Sequence, residues 1–219
     1  MSNQAPIADG SAQLTAEHIF ATIPVNACEF IEGDIALIDT FLRFLSTKQS
    51  IHVRLYDHEK QKVLYSVVTT EQIPSIIGDL RTINGLSTLS DSSNQTGANI
   101  PWDTFSGVSF AKVIEHSHQA KLPKTAHFVF TPKTMSEEQQ DDLCASISGI
   151  ASKVDDRTQF SVHIIDRIKN EEESKTFRAT IDGIDPDIVA VTSMSDMQKM
   201  VAENAATALP ALVHKTFTA

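Results

Sequence analysis

The chain of 219 residues is 41% hydrophobic and 21% charged, which is the composition of a globular protein able to bury a core. Its 28 acidic and 18 basic residues give a formal net charge of -10, which argues against nucleic acid or an anionic membrane as a partner, because both bind clusters of Lys and Arg. No apolar run approaches the roughly 18 residues of a membrane span, and we expect a cytoplasmic protein whose partner, if charged, is basic.

The first half of the chain is predicted to contain a tail, a strand, a helix, a hairpin and a second helix. Residues 1–15 are small and polar, so we expect a flexible tail there and a single α/β domain over residues 16–219. The pattern predicts a strand from His18 to Val25 that ends at Pro24, a helix over 33–47, an antiparallel hairpin of strands over 51–56 and 63–68, and a helix over 70–84 that Thr70 caps.

The second half centres on a strand that is predicted to be buried on both faces, from Ala126 to Thr131. Before it, residues 86–103 form a long loop with the only tryptophan, Trp102, and long loops inside compact domains are usually functional or disordered. The remaining pattern predicts a helix over 104–118, a helix begun by the capping box of Ser136 and Gln139, a strand over 160–166, an exposed charged excursion over 167–175, a strand over 188–192 and a last helix capped by Ser195.

Strands and helices alternate along the domain, and this alternation favours a parallel sheet. Crossovers between parallel strands are right-handed, so helices cover both faces once the winding direction reverses. The sequence therefore predicts an α/β fold with a doubly wound, mostly parallel six-stranded sheet, one antiparallel edge hairpin and helices on both faces.

This order of elements, over about His18 to Phe217, resembles the von Willebrand factor A-like fold. Members of that family hold a metal ion with a DxSxS motif after the first strand, a Thr before the third helix and an Asp after the central strand. The chemistry is that of a hard Mg²⁺ ion, which requires oxygen ligands. The resemblance implies a protein-interaction role for this chain.

The family's metal ligands are mostly replaced in this sequence. Pro24, Asn26 and Cys28 stand where DxSxS would be, although Thr104 matches the threonine. Thr131-Pro132-Lys133 replaces the family's Thr-Asp-Gly, and the charge of Lys133 would oppose a dication. The resemblance therefore implies an interaction module that works without a metal ion, and we expect no cofactor.

The leading prediction is a non-enzymatic adaptor or assembly subunit that binds a protein partner; whether it forms homo- or hetero-oligomers stays open. Ligands of open α/β sheets bind at the carboxyl ends of the strands, and Trp is enriched among interface hot spots. The candidate partner-binding residues are Asn26, Cys28, Glu29, Trp102, Asp103, Thr104, Thr131 and Lys133.

Two other functions stay open on the sequence alone. The chain could be a structural subunit of a larger particle, such as one of viral or phage origin, assembled through its tail and an exposed edge strand. It could instead be an α/β enzyme with Cys28 as the nucleophile and His127 or His18 as its base, which requires a hydrogen-bonded pair. Cys28 and Cys144 have no CxxC spacing, and both are expected to be free thiols in a reducing compartment.

Several polar residues also have simpler structural interpretations. Trp102 can tuck under its own loop, and His52 and His163 fit surface or hydrogen-bonded core positions within strands. His116 and His118 are two apart on a predicted helix and do not face each other, so solvated side chains are expected there rather than a shared metal. The acidic run over 171–173 is expected to be a solvated loop that could contact a basic partner.

Overall fold

The computed structural model describes residues 16–26, 29–47, 49–86, 100–119, 122, 124–154 and 160–199, and the side chains of 116–119 are not among the described parts. The predicted tail over 1–15, Cys28 and the chain beyond residue 199 therefore lie outside the described residues. Within the described ranges, no helix has the length and apolar character that crossing a membrane requires.

The described residues form an α/β fold with these strands: β1 (His18–Pro24), β2 (Ile51–Asp57), β3 (Lys62–Val68), β4 (Asp103–Ser106), β5 (Thr125–Phe130), β6 (Phe160–Asp166) and β7 (Val189–Ser193). The helices are α1 (Glu32–Ser46), α2 (Ile73–Ile83), α3 (Phe110–Gln119), α4 (Glu137–Ala151) and α5 (Glu171–Asp182). A short 3₁₀ turn (Thr70–Gln72) precedes α2, and residues 194–199 are again helical.

The strands form one mixed sheet in the order β4-β3-β2-β1-β5-β6-β7. β1 pairs in parallel with β2 and β5, the pairs β5–β6 and β6–β7 are parallel, and β3 is antiparallel to β2 and β4. The predicted buried strand is confirmed as β5, whose six residues are all buried between β1 and β6. The predicted hairpin of β2 and β3 is also confirmed.

Two apolar clusters lie on opposite faces of this sheet, because successive strand side chains point to opposite faces. Phe128 and Phe130 join α1, α2 and residues Met194 and Met197 in the first cluster. Val129, between them, joins α3, α4 and α5 in the second. Phe41 of α1 packs edge-on against Phe128, with ring centroids 5.1 Å apart, so the first cluster holds α1 against the centre of the sheet.

The predicted strand count and the predicted helix at Thr104 are wrong. Asp103–Ser106 is a seventh strand, β4, which pairs with β3 through Phe105 opposite Val63. Its four residues are all exposed, so the segment lacks the alternation of buried apolar residues that predicts a strand. It is a strand because it pairs with β3. The chain then turns at Gly107, whose φ of 72° favours glycine, and α3 begins only at Phe110.

The predicted excursion over 167–175 is exposed over residues 169–173 and at Lys175, as expected, but it is not a loop and Arg167 does not lie on the surface. Arg167 is buried, and α5 begins after Asn170, whose side-chain oxygen accepts hydrogen bonds from the backbone N–H groups of Glu172 and Glu173. The acidic run therefore forms the first turn of a helix, where negative charge is favourable.

Two predicted helix caps are displaced by one or two residues. Thr70 donates its hydroxyl to the backbone oxygen of Ser46 at 2.8 Å, whereas the N–H of Thr69 donates to Gln72 at 3.0 Å. In the last helix Ser193, rather than Ser195, accepts the N–H of Asp196 at 2.9 Å. The capping box of Ser136 and Gln139 is confirmed.

Candidate functional site

The candidate site lies at the carboxyl edge of the sheet, where β1, β5 and β6 end side by side. Parallel strands present their carboxyl ends at one edge, and this edge is where open α/β sheets bind ligands. The pairing of β5 with β6 continues one residue past the end of β5, since the N–H of Thr131 donates to the backbone oxygen of Ile165 at 3.0 Å.

A buried ion pair between Arg167 and Glu29 forms the centre of this edge. The Arg167 side chain is 2% exposed and the Glu29 side chain 8%, and Nη1 of Arg167 donates to Oε1 of Glu29 at 3.0 Å. The same guanidinium donates to the backbone oxygens of Glu29 at 2.6 Å and Thr131 at 3.1 Å. Its carbon lies 3.8 Å from the centre of the Phe30 ring, a cation–π geometry.

The ends of three strands meet at this pair. Arg167 follows β6 directly, and its backbone N–H donates to the Thr131 hydroxyl after β5 at 2.8 Å. Glu29 belongs to the turn after β1, and its Oε1 also accepts the backbone N–H of Lys133 at 2.8 Å. One carboxylate and one guanidinium therefore cross-link the turns after β1, β5 and β6.

A second, more open ion pair lies beside the first. Nζ of Lys133 is 3.9 Å from Oδ2 of Asp34 in the first turn of α1, and the side-chain amide of Gln198 donates to Oδ1 of Asp34 at 3.3 Å. Burial, followed by the charge of Arg167, lowers the pKa of Lys133. Burial likewise lowers the pKa of Arg167, although Glu29 and Asp34 oppose the change.

The structure brings together four of the predicted site residues and separates others from them. Glu29, Thr131 and Lys133 share the network, and Asn26, two residues after β1, accepts the N–H of Glu29 with its backbone oxygen at 3.2 Å. The side-chain amide of Asn26 also lies 3.5 Å from Nε2 of His58. Cys28 lies outside the described residues.

The other three predicted residues are at the far side of the sheet. Asp103 and Thr104 are exposed on β4, which β3 and β2 separate from β1. Trp102 packs against the first apolar cluster, and its Nε1 donates to Asp79 of α2 at 3.1 Å. These residues therefore do not contribute to the network at the carboxyl edge.

Sequence reasoning missed Arg167 and the exposed Ile31, and it did not place Asp34 among the candidate site residues. One sequence signal could have identified Arg167: a basic residue that directly follows a buried strand lies at the carboxyl edge of the sheet. Ile31, which immediately precedes α1, is 62% exposed, the highest value among the large apolar side chains described as exposed. It adjoins Phe30, on which the guanidinium of Arg167 rests.

The comparisons with known proteins assign no family to this site. No protein-family model matches the sequence, and no curated protein matches it. Among the residues that the structure describes, no group of three or more His, Cys, Asp or Glu side chains is arranged to hold a metal ion. The predicted pair of His116 and His118 lies outside this finding, because their side chains are not described.

A second polar cluster lies near the amino ends of the strands. Nδ1 of His18 is 3.5 Å from Nε2 of His52, and Nδ1 of His52 is 2.7 Å from the Tyr65 hydroxyl. The His52 ring stacks on Phe20 with centroids 4.2 Å apart. Burial, helped by the charges of His18 and Arg54, lowers the pKa of His52 from 6.5 to about 4, so this ring is neutral at pH 7.

His163 has the hydrogen-bonded core position, one of the two that its sequence pattern left open. It is fully buried, and its Nε2 lies 3.0 Å from the Thr192 hydroxyl. His127, once a candidate base for Cys28, is also fully buried and stacks on Phe20. Cys144 is buried in the second cluster, and burial raises its pKa to about 11, so this thiol is protonated at neutral pH.

Replacing Arg167 by Met should destabilise the protein by about 3–5 kcal/mol, because Glu29 would remain as a buried carboxylate without its cation. Urea unfolding at neutral pH measures this loss. In the double variant E29M/R167M part of the stability should return, since two apolar side chains leave no buried charge. Arg43→Met is the matched control, because the Arg43–Asp39 pair is exposed and should change stability by about 0.5 kcal/mol or less. Equal losses for R167M and R43M would contradict the central role of the buried pair.

Acid should destabilise the protein through His52. Its pKa is lower in the folded state than the ordinary 6.5, so the unfolded chain binds more protons as the pH falls from about 6.5 to 4 and stability is lost over that window. Because the ring is only half buried, solvent screens the interaction. We expect His52 to contribute about 1 kcal/mol to the free energy of unfolding, which is less than the full pKa shift corresponds to. Unfolding midpoints of the parent and His52→Gln across this window measure the effect, and the loss should be smaller in the variant. If the parent and the variant lose stability equally across this window, the pKa of His52 does not differ between the folded and unfolded states.

Proposed function

We propose that this protein is a non-enzymatic interaction module that binds a protein partner at the carboxyl edge of its sheet, without a metal ion at that edge. The observation that supports the proposal is the buried Arg167–Glu29 ion pair. It makes the turns after three strands into one rigid surface, and a preorganised surface loses little conformational entropy on binding.

The charges at this edge favour metal independence. A hard dication needs several oxygen ligands with negative charge, but the carboxylates of Glu29 and Asp34 already face Arg167 and Lys133. Two fixed cations within the same cluster would repel a dication, and the low dielectric of a buried site strengthens the repulsion. The cations of Arg167 and Lys133 therefore supply the positive charge that a metal ion supplies in the von Willebrand factor A-like family.

The sheet topology supports the doubly wound, von Willebrand factor A-like arrangement. The order β3-β2-β1-β5-β6-β7 runs outward from β1 in both directions and has its antiparallel strand at one side. Apolar clusters with helices lie on both faces. β4 is an addition outside that arrangement, paired with β3.

Ile31 is the proposed anchor of the interface. Interface hot spots are buried on binding and ringed by contacts that exclude water. Exposed Ile31 stands in the sequence between Phe30, on which Arg167 rests, and Glu32, which pairs with Arg81. The net charge of -10 favours a basic partner, because opposite charges accelerate the encounter.

The described residues lend little support to a Cys28-centred enzyme. Glu29, the next residue in the sequence, lies at the carboxyl edge, whereas the candidate base His18 begins β1 at the amino edge. The length of β1 is about 20 Å at roughly 3.3 Å per residue. The second candidate base, His127, is fully buried.

Mg²⁺ and Mn²⁺ should leave the thermal-unfolding midpoint unchanged relative to EDTA, because an ion that binds only the folded state must raise the midpoint. Differential scanning fluorimetry over a range of ion concentrations is the measurement. A concentration-dependent rise that Glu29→Gln abolishes would contradict metal independence at this edge.

Ile31→Asp should weaken partner binding by at least about tenfold, which corresponds to about 1.4 kcal/mol, because it puts a charge at the centre of an apolar contact. The partner is first identified by capture on the parent protein and then purified, and its Kd is measured for each variant by calorimetry. The thermal midpoint of the variant should stay close to that of the parent, since Ile31 is exposed.

Val67→Asp is the matched control. Val67 is 47% exposed on β3, away from the carboxyl edge, and its replacement should leave the Kd unchanged. If V67D binds the partner more weakly than the parent and I31D binds it equally tightly, the interface lies on the β3–β4 side of the sheet. That result would overturn the carboxyl-edge proposal and favour assembly through the edge strand.

A further inference from the structure

Two imidazoles converge at the amino edge of the sheet, at the opposite end from the proposed interface. His18 begins β1, and His52 lies on β2 opposite Phe20. Nδ1 of His18 and Nε2 of His52 are 3.5 Å apart, with ring planes inclined by 53°. Both side chains are half-buried, so solvent reaches the pair.

The nitrogen–nitrogen distance suits a shared metal ion better than a direct hydrogen bond. N–H donors lie about 2.7–3.2 Å from their acceptors, so 3.5 Å is long for such a bond. Two imidazole nitrogens at roughly 2.0–2.1 Å from one tetrahedral Zn²⁺ are about 3.3–3.4 Å apart. The two rings therefore have nearly the separation that a bridging ion requires, without movement of the strands.

We propose that His18 and His52 bind a divalent transition-metal ion that prefers imidazole, with Zn²⁺ as the representative ion. Imidazole nitrogen suits Zn²⁺ and Cu²⁺, whereas Mg²⁺ and Mn²⁺ prefer oxygen. Two protein ligands leave the remaining coordination positions to water. The site does not depend on the proposed interaction function.

Tyr65 provides the outer support that a metal-binding histidine needs. Ligating histidines usually donate their other ring N–H to a fixed oxygen, which sets the tautomer and the ring orientation. The Tyr65 hydroxyl, 2.7 Å from Nδ1 of His52, is placed to accept that N–H. In this tautomer Nδ1 of His52 carries the proton and Nε2 directs its lone pair toward His18.

The surroundings of His52 hold the ring in place, because its stacking on Phe20 limits rotation. The positive charge of Arg54 opposes a cation, although its guanidinium lies over Phe20 and donates to the backbone oxygen of Val113 at 2.8 Å. We therefore expect a site of micromolar rather than nanomolar affinity.

Binding of Zn²⁺ to the full chain tests this proposal. The parent protein for the test carries Cys28→Ser and Cys144→Ser, because thiolates also bind Zn²⁺. Isothermal titration calorimetry with ZnCl₂ should give one site per chain with a Kd of about 1–100 µM, and about 100 µM Zn²⁺ should raise the unfolding midpoint. Replacing Zn²⁺ by Cu²⁺ should give an electron paramagnetic resonance spectrum with hyperfine splitting from two nitrogens.

The variants locate the site. His18→Asn and His52→Gln should each weaken Zn²⁺ binding at least tenfold, and His58→Asn, a histidine at the other end of the sheet, should leave it unchanged. His18→Asn keeps the test decisive if His52→Gln unfolds, because His18 is the first residue of its strand. Absence of binding at about 100 µM Zn²⁺, or equal affinity for the parent and H18N, would overturn the proposal.

Discussion

The Arg167–Glu29 ion pair is the interaction on which the rest of the carboxyl edge depends. A buried charge is tolerated only when a partner and hydrogen bonds compensate its lost hydration, and here the guanidinium reaches one carboxylate and two backbone oxygens. Those contacts determine where the turns after β1, β5 and β6 lie. The positions of Lys133 and Ile31 follow from the same contacts, because both are neighbours of residues in the network.

The two ends of β1 have contrasting chemistry. Its carboxyl end has side chains whose charges are paired with one another, and its amino end has two imidazoles that remain half-exposed. The middle of the strand is buried on both faces between β2 and β5, so the apolar core separates the two polar regions. A protein interface and a small-ion site can therefore coexist on one sheet without sharing residues.

The sequence predicted best the elements whose structure depends on local pattern. β1, β5 and β6 have apolar runs and α4 has a capping box, and all four were predicted within one or two residues. β4 was missed because its four exposed residues become a strand only by pairing with β3. Arg167 was assigned to solvent because its partner Glu29 is 138 positions away, and no local pattern encodes such a contact. The spacing of His18 and His52 likewise depends on the register of β1 and β2.

That long separation also has a consequence for how the chain folds. β1, β2 and β3 and the helices α1 and α2 come from the first half of the sequence, so they can associate early by short loop closures. The carboxyl edge cannot close at that stage, because Arg167 has not joined the sheet. The edge is therefore complete only when β6 is in place beside β5, and an intact Arg167–Glu29 pair reports that the second half of the sheet has been added.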